Sequence, residues 1–223
     1  GLLVGLTFAK TVSQVRNIPF VAVNHLEGHA LTARLSGNVQ YPFLLLLVSG
    51  GHSNFYYIEN INRYFNLGGT LDDALGEAFD KVAKIIGLGF PGGADLEKVA
   101  KYGNSNAYDF PRPLYRKNNL DLSFSGLKTA IQQKYNSLNK EDNPELKADI
   151  AASFQKTICK IICKKIKIAI DFCNDKKLKF NSVVISGGVA SNMELRTELK
   201  RIIKSENKEY YFPPINLCTD NAA

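Results

Sequence analysis

Apolar residues recur along the chain in two rhythms. Phe43-Leu44-Leu45-Leu46-Leu47-Val48 is an unbroken apolar run of strand length, and Val183-Val184-Ile185 is a shorter one. Runs apolar on both faces mark strands buried on both sides. Each ends in the same turn, Ser49-Gly50-Gly51 and Ser186-Gly187-Gly188. Pro19 to Val23 reads as another short strand, and Ser53 to Glu59 as a hairpin partner of the first run. Elsewhere the period is helical. Leu71, Leu75, Phe79, Val82 and Ile86 recur at three and four, predicting a helix over 71–86 with Thr70 as N-cap and Gly87 as its stop. Residues 27–35 predict a shorter helix. After Pro144, the stripe Leu146, Ile150, Phe154, Ile158, Ile161 and Ile162 predicts a long amphipathic helix continuing towards Phe172, with Lys160, Lys164, Lys165 and Lys167 as a solvated face. A last helix is predicted from about Asn192 to Lys204. Residues 103–122, with Pro111, Pro113 and little periodicity, read as a surface loop. Strands alternating with helices place the chain in the α/β class.

Composition adds bounds. At 223 residues with 45% apolar and 22% charged, the chain has an ordinary globular make-up, which excludes disordered and fibrous classes. The longest apolar run falls far short of the roughly 18 residues needed to span a bilayer. With no signal-peptide pattern either, a membrane is not an expected partner and the expected setting is cytoplasmic. The four cysteines show no C-x-x-C spacing, which excludes zinc ribbons and favours a reduced compartment. A net charge of +7 suits an anionic partner such as nucleic acid, and equally a lysine-rich composition with no such partner. The chain opens at Gly1 inside an apolar segment and stops at Ala223 without a polar tail, so it reads as a fragment.

Candidate chemistry is concentrated in a few places. Of three histidines, His25 and His29 sit four apart. On a helix that spacing is about 40° of arc, so both imidazoles can address one metal ion. Two unrelated histidines on an exposed helix are the plainer reading. Zinc peptidases place a glutamate directly after the first histidine. Here Glu27 follows His25 by two, about 200° around the helix, so it cannot serve as that base. Asp73, Glu77 and Asp80 fall on one face of the helix predicted from Leu71, either as surface pairs of Lys81 and Lys84, with Asp80 on Lys84, or as acceptors for a ribose. The glycine-rich loop Gly87-Leu88-Gly89-Phe90-Pro91-Gly92-Gly93 follows. Glycines after a strand let backbone N–H groups reach phosphate oxygens, and the duplicated Ser-Gly-Gly turn doubles that opportunity.

These stretches together resemble the tRNA N6-adenosine threonylcarbamoyltransferase family, formerly known as O-sialoglycoprotein endopeptidases. The matching pieces are Asn24-His25-Leu26-Glu27-Gly28-His29, Leu47-Val48-Ser49-Gly50-Gly51-His52, Gly76-Glu77-Ala78-Phe79-Asp80-Lys81, Phe90-Pro91-Gly92-Gly93, Ser123-Phe124-Ser125-Gly126-Leu127-Lys128-Thr129, Ser186-Gly187-Gly188-Val189-Ala190-Ser191-Asn192 and Cys218-Thr219-Asp220-Asn221.

The resemblance implies the actin-like ATPase, ribonuclease H-like fold in two domains. Residues 1–40 would be the remainder of an incomplete first domain, and 41–223 the second. It implies one divalent metal ion, iron(II) in preference to zinc, on His25, His29 and Asp220. The adenylate would be held by Leu47, Val48, Ser49, Gly50, Gly51, Asp80, Gly93 and Asn192, with no catalytic residue apart from these ligands.

The implied reaction moves threonylcarbamoyl from threonylcarbamoyl-adenylate to N6 of the adenosine 3′ of the anticodon, in tRNAs reading codons that begin with A, and releases AMP. Lys160 to Lys167 are candidates for tRNA phosphate contact. In bacterial-type systems a paralogous non-catalytic subunit and a small ATPase subunit are implied partners. Four alternatives are weighed: an actin-like nucleotide-binding ATPase or kinase; an inactive truncated member; a non-catalytic nucleic-acid-binding module; and a peptidase, against which the position of Glu27 argues. The resemblance also implies that full-length members carry a further phosphate-binding turn ahead of the segment matching Gly1 and continue past the Asn221 position, so the first domain is expected to be incomplete here.

Overall fold

The computed structural model describes residues 2–138 and 143–218. The order is α1 (Leu2–Arg16), α2 (His25–Ser36), β1 (Phe43–Val48), β2 (Ser53–Asn60), β3 (Arg63–Gly69), α3 (Leu75–Ile85), α4 (Gly93–Ala100), α5 (Ser125–Leu138), α6 (Pro144–Asp175), β4 (Ser182–Ser186), α7 (Met193–Ser205) and β5 (Glu209–Tyr211). The strands form one five-stranded sheet in the order β3-β2-β1-β4-β5. β1 runs antiparallel to β2 and parallel to β4, and β4 is parallel to β5.

The apolar run of β1 is explained by its central place. Leu44, Leu46 and Val48 face the main core with Phe55, Tyr57 and the buried sides of α3, α5, α6 and α7. Phe43, Leu45 and Leu47 face the other way, with Ile58 and Val184, against Ala30 and Ala33 of α2. α6 is buried around most of its circumference. It begins with Asn143 as cap, whose side chain accepts from Leu146 N–H at 3.1 Å, and with Pro144 in the first turn. α1 has almost no cover: Leu3, Val4, Phe8 and Val15 are all more than two-thirds exposed.

Several expectations are corrected. Residues 19–23 form no strand; Val21 and Val23 are exposed, and no strand among the described residues hydrogen-bonds to them. The helix predicted over 71–86 starts at Leu75, because Asp72 and Asp73 are drawn elsewhere. Asp72 receives hydrogen bonds from Ser123 Oγ (2.6 Å), Phe124 N–H (2.8 Å) and Ser125 Oγ (2.7 Å) and so caps α5. Thr70 does not cap this helix: it bridges to Leu122 and its hydroxyl donates to the Asp73 carbonyl at 2.6 Å. Gly87 does act as the stop, at φ +78°. Lys165, expected on a solvated face, is fully buried. Its ammonium donates to the carbonyls of Asn119 (2.8 Å) and Lys117 (3.3 Å) and to Asn119 Oδ1 (3.3 Å), tying down the 103–122 loop. Burial lowers its pKa.

Candidate functional site

Parallel pairing of β1 with β4, Leu47 opposite Ser186, brings the two Ser-Gly-Gly turns out side by side. They are packed backbone to backbone. Gly187 has φ +99°, and a Cβ there would lie 2.7 Å from the Val48 carbonyl carbon. The start of α3 closes on the first turn: Gly76 N–H donates to the Ser49 carbonyl at 3.1 Å, and a Cβ on Gly76 would sit 2.8 Å from the Gly50 Cα. Ser53 Oγ accepts Leu75 N–H at 2.7 Å, satisfying one unpaired donor of the helix start.

Gly92 and Gly93 then arrive at the same place. Asp80 Oδ1 accepts both of their amides at 2.9 Å, bending the glycine-rich loop back so that α4 begins beside α3. The pairing expected between Asp80 and Lys84 is not what holds this carboxylate. Lys81 instead bridges Asp73 and Glu77 at 2.7 Å each, which raises its pKa. α7 enters from the other side. Asn192 caps it by accepting from Leu195 N–H at 2.9 Å, and its amide donates to Gln155 Oε1 at 2.8 Å.

The result is a cleft of about 330 Å³ at the C-terminal ends of β1 and β4, with the starts of α3, α4 and α7 around it. Of the residues expected to bind adenylate, Gly50, Asp80, Gly93 and Asn192 lie in its wall. The Leu47 and Val48 side chains are buried in the sheet, so only their backbone can serve a ligand. Ser49 is buried and internally engaged: its N–H donates to the His52 carbonyl at 2.8 Å and its hydroxyl accepts from His52 N–H at 3.1 Å. Gly51 is exposed beside the wall. The amides of Gly50 and Gly51 have no acceptor among the described residues. Sequence reasoning missed Glu97 and Phe79, both in the wall. Glu97 reaches it on α4 and accepts Met193 N–H at 2.8 Å. Only recognition of 93–100 as a helix could have placed it.

The histidine pair is tied to the same framework. Asn24 caps α2 by accepting from Leu26 N–H at 2.9 Å. The His25 and His29 rings lie edge to face with centroids 4.7 Å apart. α2 is pinned to β4 where Ser186 Oγ donates to the His29 carbonyl at 2.8 Å, one residue before the Gly187 contact. Glu27 lines a separate cavity of about 160 Å³ with Tyr56 and Tyr64, as its angular offset from His25 requires. The expected third ligand, Asp220, lies outside the described residues. Among the described residues no group of three or more metal-binding side chains converges. What is present is two imidazoles one turn apart, a donor set that fits half of an iron or zinc site.

A crevice at the carboxyl ends of parallel strands, lined with free glycine amides and helix starts, is suited to a phosphate. This sheet order and cleft define a domain of the actin-like, ribonuclease H-like α/β fold. The same fold is seen in full-length HypF in its phosphate- and nucleotide-bound form (TM-score 0.65, 14% identity, 91% of this chain and 41% of that one). It is seen again in T. kodakarensis HypF (TM-score 0.65, 13% identity, 97% and 37%). The family model for TsaD, tRNA N6-adenosine threonylcarbamoyltransferase, matches residues 1–223, and the chain belongs to that family. Relatives of that name include those of Rickettsia canadensis (51% identical, 100% of this chain and 66% of the relative) and Pelagibacter ubique (49%, 100% and 62%). The chain thus spans about two thirds of the length of the curated relatives it matches.

Proposed function

We propose that the protein transfers the threonylcarbamoyl group of threonylcarbamoyl-adenylate to N6 of the adenosine 3′ of the anticodon in tRNAs reading codons that begin with A, releasing AMP. The observation that carries this reading is the cleft between the paired Ser-Gly-Gly turns in a chain that matches the family along its whole length. Gly50 and Gly51 would hold the adenylate phosphate through their open amides. Asp80 keeps one oxygen on the glycine loop and would offer the other to a ribose hydroxyl. Glu97, also in the wall, would be a second such acceptor through the oxygen not taken by Met193 N–H. As the adenosine amine attacks the acyl carbon, the bond to the phosphate oxygen breaks, the amine proton passes to solvent, and the amides stabilise the charge that collects on the leaving phosphate. Positioning supplies much of the acceleration, since a weak amine meets a good leaving group.

His25 and His29, with Asp220, would hold one divalent metal ion, iron(II) in preference to zinc. Such an ion, when bound, supplies Lewis-acid polarisation or orientation of the donor's carbonyl. Residues 1–40 would complete a first domain together with segments outside this chain. A cytoplasmic setting is proposed, with a paralogous non-catalytic subunit and a small ATPase subunit as partners in a bacterial-type system.

The test supplies the complete protein with threonylcarbamoyl-adenylate and a tRNA of this class. AMP and modified adenosine should appear in equal amounts, and His25→Ala with His29→Ala should remove both the bound metal and the turnover. ATP hydrolysis or phosphoryl transfer without adenosine modification would favour the kinase-like alternative instead.

A further inference from the structure

Between α4, α6 and α7 the surface opens into a groove of about 720 Å³, larger than the cleft. Its cations are Lys101, Lys156, Lys160, Lys164, Lys167 and Arg201, and its carboxylates are Glu194 and Glu198. Arg201 is paired with Glu198 at 2.9 Å and Lys167 with Glu206 at 2.8 Å. Lys101, Lys160 and Lys164 have no ion pair among the described residues.

The lysines of α6 are not an ordinary solvated face. Between residues 151 and 170, Lys160, Lys164 and Lys167 are the only exposed positions, with Lys156 half-buried beside them. A generic helix surface mixes signs; this strip is cationic throughout, with about 6 Å of rise from one lysine to the next four residues on. Between the lysines the lining is neutral, with Ala100, Ala152, Cys159 and Cys163 small and Tyr115, Gln155 and Ile202 larger. Burial pushes the Cys163 thiol up to about 12 and raises Cys159 as well, so neither contributes a thiolate. A protein partner would look for a pocket that takes an aromatic or arginine anchor. Ammonium heads spaced along an open groove suit a linear polyanion.

The groove also leads to the cleft. Gln155 lines the groove and accepts the amide of Asn192, which lines the cleft. Glu97 of α4 lines the cleft, and Lys101, just past the end of that helix, lines the groove. We propose that this groove binds the phosphate backbone of the RNA substrate and lays the strand along α6 towards the cleft. The proposal rests on the transferase reading above, which names an RNA as acceptor.

The experiment measures tRNA affinity of the complete protein over a potassium chloride series, for the wild type, for Lys101→Gln/Lys160→Gln/Lys164→Gln, and for Lys176→Gln/Lys177→Gln/Lys179→Gln outside the groove. AMP affinity is read in parallel as a probe of the cleft. The groove variant should bind tRNA at least about tenfold more weakly at 0.1 M salt, with the slope of log K against log[salt] reduced by about two to three. Its AMP affinity should be unchanged, and the second triple should match the wild type. A wild type that binds tRNA while the groove variant keeps its affinity and slope overturns the groove alone. A wild type that binds no tRNA overturns the RNA-modifying reading with it.

Discussion

The two Ser-Gly-Gly turns share a sequence and do different work. At the end of β4, Gly187 is jammed against the backbone of Val48 in a left-handed conformation, and Ser186 reaches across to the carbonyl of His29. That turn is structural: it sets the distance between strands and anchors the histidine helix. At the end of β1, Gly50 and Gly51 have open space where a Cβ would stand, and their amides point to no acceptor in the chain. The tight contact at that turn falls instead on Gly76 of the facing helix. Glycine is needed in one turn for packing and in the other for access, so the repeated motif is not a repeated role.

The largest effect that would break this contrast is expected at Gly187. Gly187→Ala adds a methyl that meets backbone and strains the left-handed conformation, and should cost about 3 kcal/mol or more by urea denaturation. A loss under about 1 kcal/mol would mean the two turns are interchangeable. Ser186→Ala removes the hydrogen bond to the buried His29 carbonyl and should cost about 1 kcal/mol, with weaker metal retention by the protein as a second readout. Acid titration sharpens the picture on the α3 side. Partial burial raises the Asp72 carboxyl, but the hydrogen bonds from Ser123, Phe124 and Ser125 outweigh it and leave the pKa below its usual value. Its contribution is therefore present above the unfolded-state pKa and lost as pH falls through the lower folded value. Asp72→Asn should therefore lower stability at neutral pH and flatten the stability curve below about pH 4, where the wild type has already lost this contribution. Smallest of all, Gly50→Ala should change stability by no more than about 0.5 kcal/mol while weakening AMP binding, a separation that Gly187→Ala cannot show.

Much of the framework was legible in the sequence where burial is two-sided or periodic. β1 is found at its predicted residues and β4 within one residue at each end, because an apolar run has few other uses. α6 and α7 follow from their stripes and caps. β3 and β5 escaped because edge strands such as Arg63–Gly69 and Glu209–Tyr211 carry exposed, mixed side chains. The false strand at 19–23 shows the converse: apolar residues make a strand only if a partner offers hydrogen bonds, and none of the described residues does. In the site, Gly50, Asp80, Gly93 and Asn192 were legible through their motifs. Glu97 and the fate of Asp80 were not, since both depend on how α4 docks against α3. Lys165 looked like its surface neighbours because helical spacing cannot reveal a loop that folds over one lysine and not the next.

The central claim is that the open amides of the first turn receive the phosphate. The most direct measurement is amide chemical shifts of the complete protein, labelled with ¹⁵N-glycine, as AMP is added. The shifts of Gly50 and Gly51 should move together and saturate, with Gly5 and Gly103, which lie outside the cleft wall, unmoved. Saturable AMP binding that leaves Gly50 and Gly51 in place would contradict it.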